Sequence, residues 1–234
     1  MDKFDNIKLM AITKDASGSV SVRKPGGSNI SSLSQSYTVN TGSNFLLVRL
    51  MHWRNPGTTV SGITWGAQNF TLIGRQANDN NQDFVEIWRL VNPTPGTDNV
   101  VISYTDSLNE SSAWIDAWAG VDATTPTGTF AGANIPASSG TATVTVSSVA
   151  GDMVVDVMEA YIWGTITANG SQTTDGILDE DQVIDSLAAS HKTAAGTSTT
   201  MSWSLVPDVI WAIGAVAIKP ATATTAIAAP WITA

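Results

Sequence analysis

The chain of 234 residues contains no cysteine, which excludes disulfides, thiolate metal sites and cysteine nucleophiles. This leaves the compartment open, because a cysteine-free protein tolerates either redox state. Charge is scarce at 13% of residues, and histidine occurs only as His52 and His191, neither within a motif that names a base or a metal ligand. Gly-x-Ser-x-Gly elbows, Gly-Lys-Ser/Thr phosphate loops and dinucleotide fingerprints are absent as well. No apolar run approaches the roughly 20 residues of a membrane span. The opening MDKFDNIKLMAITK mixes acids with lysines and lacks a continuous apolar segment, so it does not read as a secretory leader. A helical period over ten or more residues is missing too; the best helix candidate is the short segment Asp179–Ala189.

What the sequence does contain is β-type. Short alternating or β-branched runs bounded by Gly, Pro, Asn and Asp recur from end to end, among them Phe45–Trp53, Phe84–Val91, Ala113–Ala119, Asp152–Met158 and Val209–Ile218. With 43% hydrophobic residues and nine tryptophans, the chain has ample material for a buried core. Trp88, Trp114, Trp118, Trp203 and Trp211 sit in predicted strands beside aliphatic residues and read as core, whereas Trp53, Trp65 and Trp163 lie near turns. Ser17–Ser36 is rich in Ser and Gly and reads as a linker. The expected organisation is therefore an N-terminal arm and linker over 1–33, one β-sandwich over 34–220 and a C-terminal tail over 221–234. Longer irregular segments are expected at Gly120–Gly140 and Gly170–Ser198.

The net charge of −9 argues against a sequence-independent grip on nucleic acid. Its distribution is uneven: residues 1–60 carry seven basic side chains against three acidic ones, and the remainder four against seventeen. Such asymmetry fits scattered solubilising lysines or, alternatively, a basic N-terminal segment that meets an acidic partner or another copy of the chain.

Several phrases carry a family resemblance: YTVNTGSNFLLV (Tyr37–Val48), VSGITWGAQNFTLIG (Val60–Gly74), VEIWRLVNPTPGTDNVVISY (Val85–Tyr104), WAGVDATTPTG (Trp118–Gly128), AGDMVVDV (Ala150–Val157) and TTMSWSL followed by WAIGAVAIKP. Together they resemble a jelly-roll-like β-sandwich module of phage structural proteins, both capsid decoration and fibre proteins, and of repetitive bacterial surface proteins. The resemblance implies an all-β, antiparallel, non-enzymatic protein with no cofactor and no catalytic residues. It points to a capsid decoration (cement) protein on the virion surface, a homo-oligomer such as a homotrimer, whose partner is the major capsid protein or another virion protein; neither nucleic acid nor membrane is implied. Ile7, Leu9 and Ile12 in the arm and Ile227, Trp231 and Ile232 in the tail are the expected docking residues. The alternative is a carbohydrate-binding or adhesive module of a tail fibre or cell-surface protein, with Trp53, Trp65 or Trp163 stacking on a sugar or filling an interface.

Two acidic patterns bear on chemistry. Asp156 and Glu159 resemble part of the Glu-x-Asp-x-x-Glu run of laminarinase-type glycosidases, but Val154 stands where the nucleophile belongs, and the pair is expected to be exposed strand-end polarity. Asp79, Asn80, Asn81 and Asp83 form one oxygen-rich loop, and Asp175, Asp179, Glu180, Asp181 and Asp185 another. Neither has EF-hand spacing, and no metal is assigned to either.

Overall fold

In the computed structural model the described residues are 8–24, 29–53, 58–135, 137–161, 164–178 and 185–223. All of their regular structure is strand. The first half holds β1 (Lys8–Leu9), β2 (Thr13–Lys24), β3 (Ile30–Val39), β4 (Ser43–Trp53), β5 (Val60–Trp65), β6 (Gln68–Asn69), β7 (Thr71–Ala77), β8 (Asp83–Val91), β9 (Gly96–Leu108) and β10 (Glu110–Ala119). The second half holds β11 (Ala131–Asn134), β12 (Ser139–Ser147), β13 (Met153–Ala160), β14 (Thr165–Ala168), β15 (Thr173–Leu178), β16 (Ser186–Thr193), β17 (Ser198–Val209), β18 (Trp211–Ile218) and β19 (Thr222–Ala223).

Four sheets stack in layers. A four-stranded sheet, β3-β9-β5-β6, covers one face of a five-stranded sheet, β2-β10-β4-β8-β7, around a core that includes Leu33, Leu46, Trp65 and Ile102. A three-stranded sheet, β12-β17-β14, likewise covers a second five-stranded sheet, β11-β18-β13-β16-β15, around Val154, Met158, Trp203 and Ile213. The two five-stranded sheets then face each other across a third core containing Phe45, Met51, Ile87, Trp118, Val155, Val157 and Val216.

Burial on both faces explains the composition of the inner strands. Successive side chains of a strand point to opposite faces, so a strand with one solvated face alternates and one buried on both does not. Every residue of β13 and of β18 is buried, whereas the outer strand β12 alternates from Thr141 onward.

The expected single sandwich is corrected to two. The inner orders β2-β10-β4-β8-β7 and β11-β18-β13-β16-β15 correspond strand for strand, as do β3-β9-β5 and β12-β17-β14. Each half thus has the same jelly-roll-like antiparallel path; within the four layered sheets β6 lacks a counterpart, and β1 and β19 pair with each other outside them. The arm and linker expected over 1–33 is also corrected, because Thr13–Lys24 ladders along β10 as an edge strand and Val20 and Val22 pack on the first core. Ser and Gly are tolerated there because an edge strand has one partner and less to pack against. Of the predicted helix, Ser186–Ala189 belongs to β16, and residues 179–184 lie outside the described set. Both β15 and β16 fall in the segment expected to be irregular.

The described ends meet at the junction of the two halves. Lys8 and Leu9 pair with Ala223 and Thr222, Met10 N donates to Ala221 O at 2.8 Å, and Ala221 N donates to Gly120 O at 2.8 Å. Gly120 has φ +76°, and a Cβ there would lie 2.4 Å from Ala11 O, so this crossing requires glycine.

Candidate functional site: a pocket floored by buried carboxylates

Glu110, Trp53 and Asp83 stand side by side across β10, β4 and β8 as Cα partners at one end of the first inner sheet. Glu159, near the end of β13, and Asp185, just before β16, occupy the matching end of the second. Carboxylate oxygens of Asp83, Glu159 and Asp185 lie within 4.8 Å of one another. All three residues are buried, Glu159 to 1% exposure.

Few of these oxygens have partners. Asp83 Oδ2 accepts from Asn78 Nδ2 at 2.6 Å, while Asp83 Oδ1, Asp185 Oδ1 and both oxygens of Glu159 accept no hydrogen bond of good geometry. Glu110 accepts from Arg23 Nη2 at 3.1 Å through Oε1, and its Oε2 is also unpartnered. Arg23 Nη2 is bound in addition to the Asp185 carbonyl at 2.8 Å. Burial disfavours the charged form of each acid and mutual repulsion adds to it. Burial pushes the Asp185 carboxyl up to about 8, with Asp83 and Glu110 adding to the shift and Arg23 opposing it. Burial raises Asp83 to about 6, against the Asn78 hydrogen bond and His52. Glu159 is driven well above the ordinary carboxylate range by burial, then by Asp83 and Asp185, with only a small offset from the Ala212 backbone N–H.

Of these acids, Asp83 and Asp185 line a pocket of about 440 Å³ whose wall also includes Trp53, Tyr161, Asn80, Gln82, Ser138 and Asp208. Tyr161 is 55% exposed, and Trp53 is half-buried.

A second charged cluster lies between the same two sheets. Arg49, fully buried on β4, pairs with Asp116 of its own sheet and crosses to Asp175 of β15 at 2.8 Å. Its Nη1 donates to the carbonyls of Asp156 at 3.1 Å and Ser190 at 3.0 Å. Lys14 also contacts Asp175, and His191 Nδ1 lies 2.7 Å from it. Against the cost of burial, Arg49, His191 and Lys14 hold the Asp175 carboxyl well below the usual range. The remaining histidine, His52, meets Glu86 Oε1 at 3.1 Å, and Glu86 also accepts from Arg75 Nε at 2.7 Å and Trp88 Nε1 at 2.6 Å.

The structure sorts the sequence-derived candidates. Trp53 reaches the pocket, but Trp65 is 4% exposed inside the first core and offers no ring face to a ligand; its turn-adjacent position lies at the buried end of β5. Leu9 is exposed beside Met10, whereas Ile12 is buried in the chain's own inter-sheet core and is therefore not free to dock. Trp163, Ile7, Ile227, Trp231 and Ile232 lie outside the described residues.

Asp156 and Glu159 are buried rather than exposed, and they do not form a pair. A spacing of three on a strand sends them to opposite faces: Asp156 accepts from Ser190 N and Oγ and from Trp203 Nε1, and Glu159 faces the other sandwich. Each oxygen-rich loop contributes one residue to the triad, Asp83 and Asp185, and the third comes from β13. The period-two geometry of that strand was the available signal for Glu159.

No protein-family model matches the chain, and no curated protein matches it. Among solved structures, the ectodomain of ANX2 from Arabidopsis thaliana aligns over 88% of this chain and 92% of its own at 6% identity, with a TM-score of 0.24. At that score the likeness carries no argument about fold or function.

Proposed function

We propose that this chain is a non-enzymatic attachment module that takes a glycan in the pocket between its two sandwiches. The observation that supports this most directly is the pairing of aromatic faces, exposed Tyr161 and half-buried Trp53, with the planar polar groups of Asn80, Gln82 and Asp208 around one concavity. A sugar ring presents an apolar face suited to stacking and a rim of hydroxyls suited to amides and carboxylates. A glycan array followed by calorimetry on the best binder tests the reading. Tyr161→Ala and Trp53→Ala should each abolish binding, and Trp65→Ala should act only through stability. Absence of any glycan binding, or binding untouched by both pocket variants, overturns it.

A second reading keeps the module on a virion, as a homotrimeric decoration protein bound to the major capsid protein. It is favoured by the pairing of β1 with β19, which brings both described ends to one place next to exposed Leu9 and Met10. Mass spectrometry of purified particles tests it: a copy number near that of the shell protein supports decoration, a few copies a fibre, and absence overturns the virion location.

A further inference from the structure

We propose that Asp83, Glu159 and Asp185 together bind one calcium-class divalent cation, which pins the two sandwiches to each other. Oxygens that share one calcium ion at 2.3–2.6 Å can be at most about 5 Å apart, and the three carboxylates meet that limit at 4.8 Å. The donors are all carboxylate oxygens, which select a hard cation over zinc or copper.

The second observation is Glu159 itself. At 1% exposure it brings a carboxylate oxygen to the other two acids, and neither of its oxygens has a hydrogen-bond partner of good geometry; Asp83 Oδ1 and Asp185 Oδ1 are left open in the same way. Buried polar atoms are nearly always satisfied, and an unpaired buried charge is among the most expensive features a fold can carry. A divalent ion would supply one counter-charge to all three carboxylates. The described hydrogen bonds of Arg23 go instead to Glu110 Oε1 and to the carbonyls of Asp185 and Leu178. The ligands also straddle the interface. Asp83 belongs to β8 of the first sandwich, and Glu159 and Asp185 to the second. Binding energy therefore becomes cohesion between halves, since a ligand that binds only the assembled state stabilises that state.

The test uses the full chain stripped with EDTA and titrated with calcium chloride, followed by calorimetry and thermal melting. The expected result is a single saturable site, tighter for calcium than for magnesium, and a melting temperature that rises with occupancy. Terbium chloride supplies an independent probe, because Trp53, the Cα partner of Asp83, would sensitise its luminescence. Glu159→Gln should remove the calcium response and the terbium signal while melting no lower than the stripped wild type, a combination that a mere folding defect does not produce. Asp98→Asn, exposed on β9 of the outer sheet, should keep both. No heat or shift with millimolar calcium, a preference for magnesium, or an unchanged response in Glu159→Gln overturns the proposal. No glycan is present in these measurements, so this result and the glycan-binding result stand or fall separately.

Discussion

Two clusters of charge are buried between the same pair of sheets, and they are resolved differently. Around Arg49, two carboxylates (Asp116 and Asp175) meet two cations (Arg49 and Lys14), and the remaining guanidinium hydrogens of Nη1 reach backbone carbonyls of the opposite sandwich. At the pocket end, four carboxylates (Asp83, Glu110, Glu159 and Asp185) face, among the described residues, the guanidinium of Arg23, which pairs with one of them. A buried ion pair offsets its desolvation only when geometry and partners are complete. The first cluster balances its charge from within the chain, although Arg49 Nε and Asp175 Oδ2 lack a hydrogen bond of good geometry. Among the described residues the second lacks such a balance, and the proposed cation would supply it.

The comparison breaks most severely at Arg49. Replacing it by Met leaves Asp116 and Asp175 buried together without their main counter-charge, and urea denaturation should show a loss of about 3–5 kcal/mol. The next effect is steric and lies on the same interface. A Cβ on Gly176 would sit 2.1 Å from the ring of Trp114 across the two halves, so Gly176→Ala should cost about 1–3 kcal/mol in the same assay. Equal stability of that variant would mean that the halves do not pack as described.

Acid and base should then separate the clusters by sign. Asp175 lies below its ordinary value of 3.8, so the stability it contributes is present above that pH and lost as pH falls below it. Asp83 and Asp185 are raised, so their contribution is present below about 3.8 and is lost as pH rises through about 6 and about 8. In EDTA-containing buffer the stability of the chain should therefore decline on both sides of the mildly acid range. A flat alkaline side up to pH 9 would remove the distinction between the two clusters. The smallest change is expected from Tyr161→Ala, which should leave stability within about 0.5 kcal/mol because the ring is mostly solvated, and should alter only binding at the pocket.

Much of the fold could be read from the chain before any coordinates. The unbroken apolar run of Val209–Ile218 and the Val- and Met-rich Asp152–Met158 mark strands, and the Ser/Thr alternation of Thr141–Ser147 marks a strand with one wet face. What escaped were β15 and β16, because Thr173–Leu178 and Ser186–Thr193 are short, rich in Ser, Ala and Thr, and bracket an acidic stretch that imitates a helix or loop. The duplication escaped too, since equivalent strands such as β8 (DFVEIWRLV) and β16 (SLAASHKT) share a place in the topology without sharing residues. Backbone ladders and two-sided burial constrain polarity at a position far more than identity.

The sequence by itself determined the class of structure, all-β, and excluded thiol chemistry. It also contained the parity that sends Asp156 and Glu159 to opposite faces, one to meet Ser190 and Trp203 and the other to meet acids from elsewhere. Only the tertiary structure decided that residues 83, 159 and 185 share one site, because their proximity depends on stacking one sandwich on the other. Local pattern fixes where a side chain points along its own strand; the partner it finds there is set by long-range packing, which no local spacing encodes.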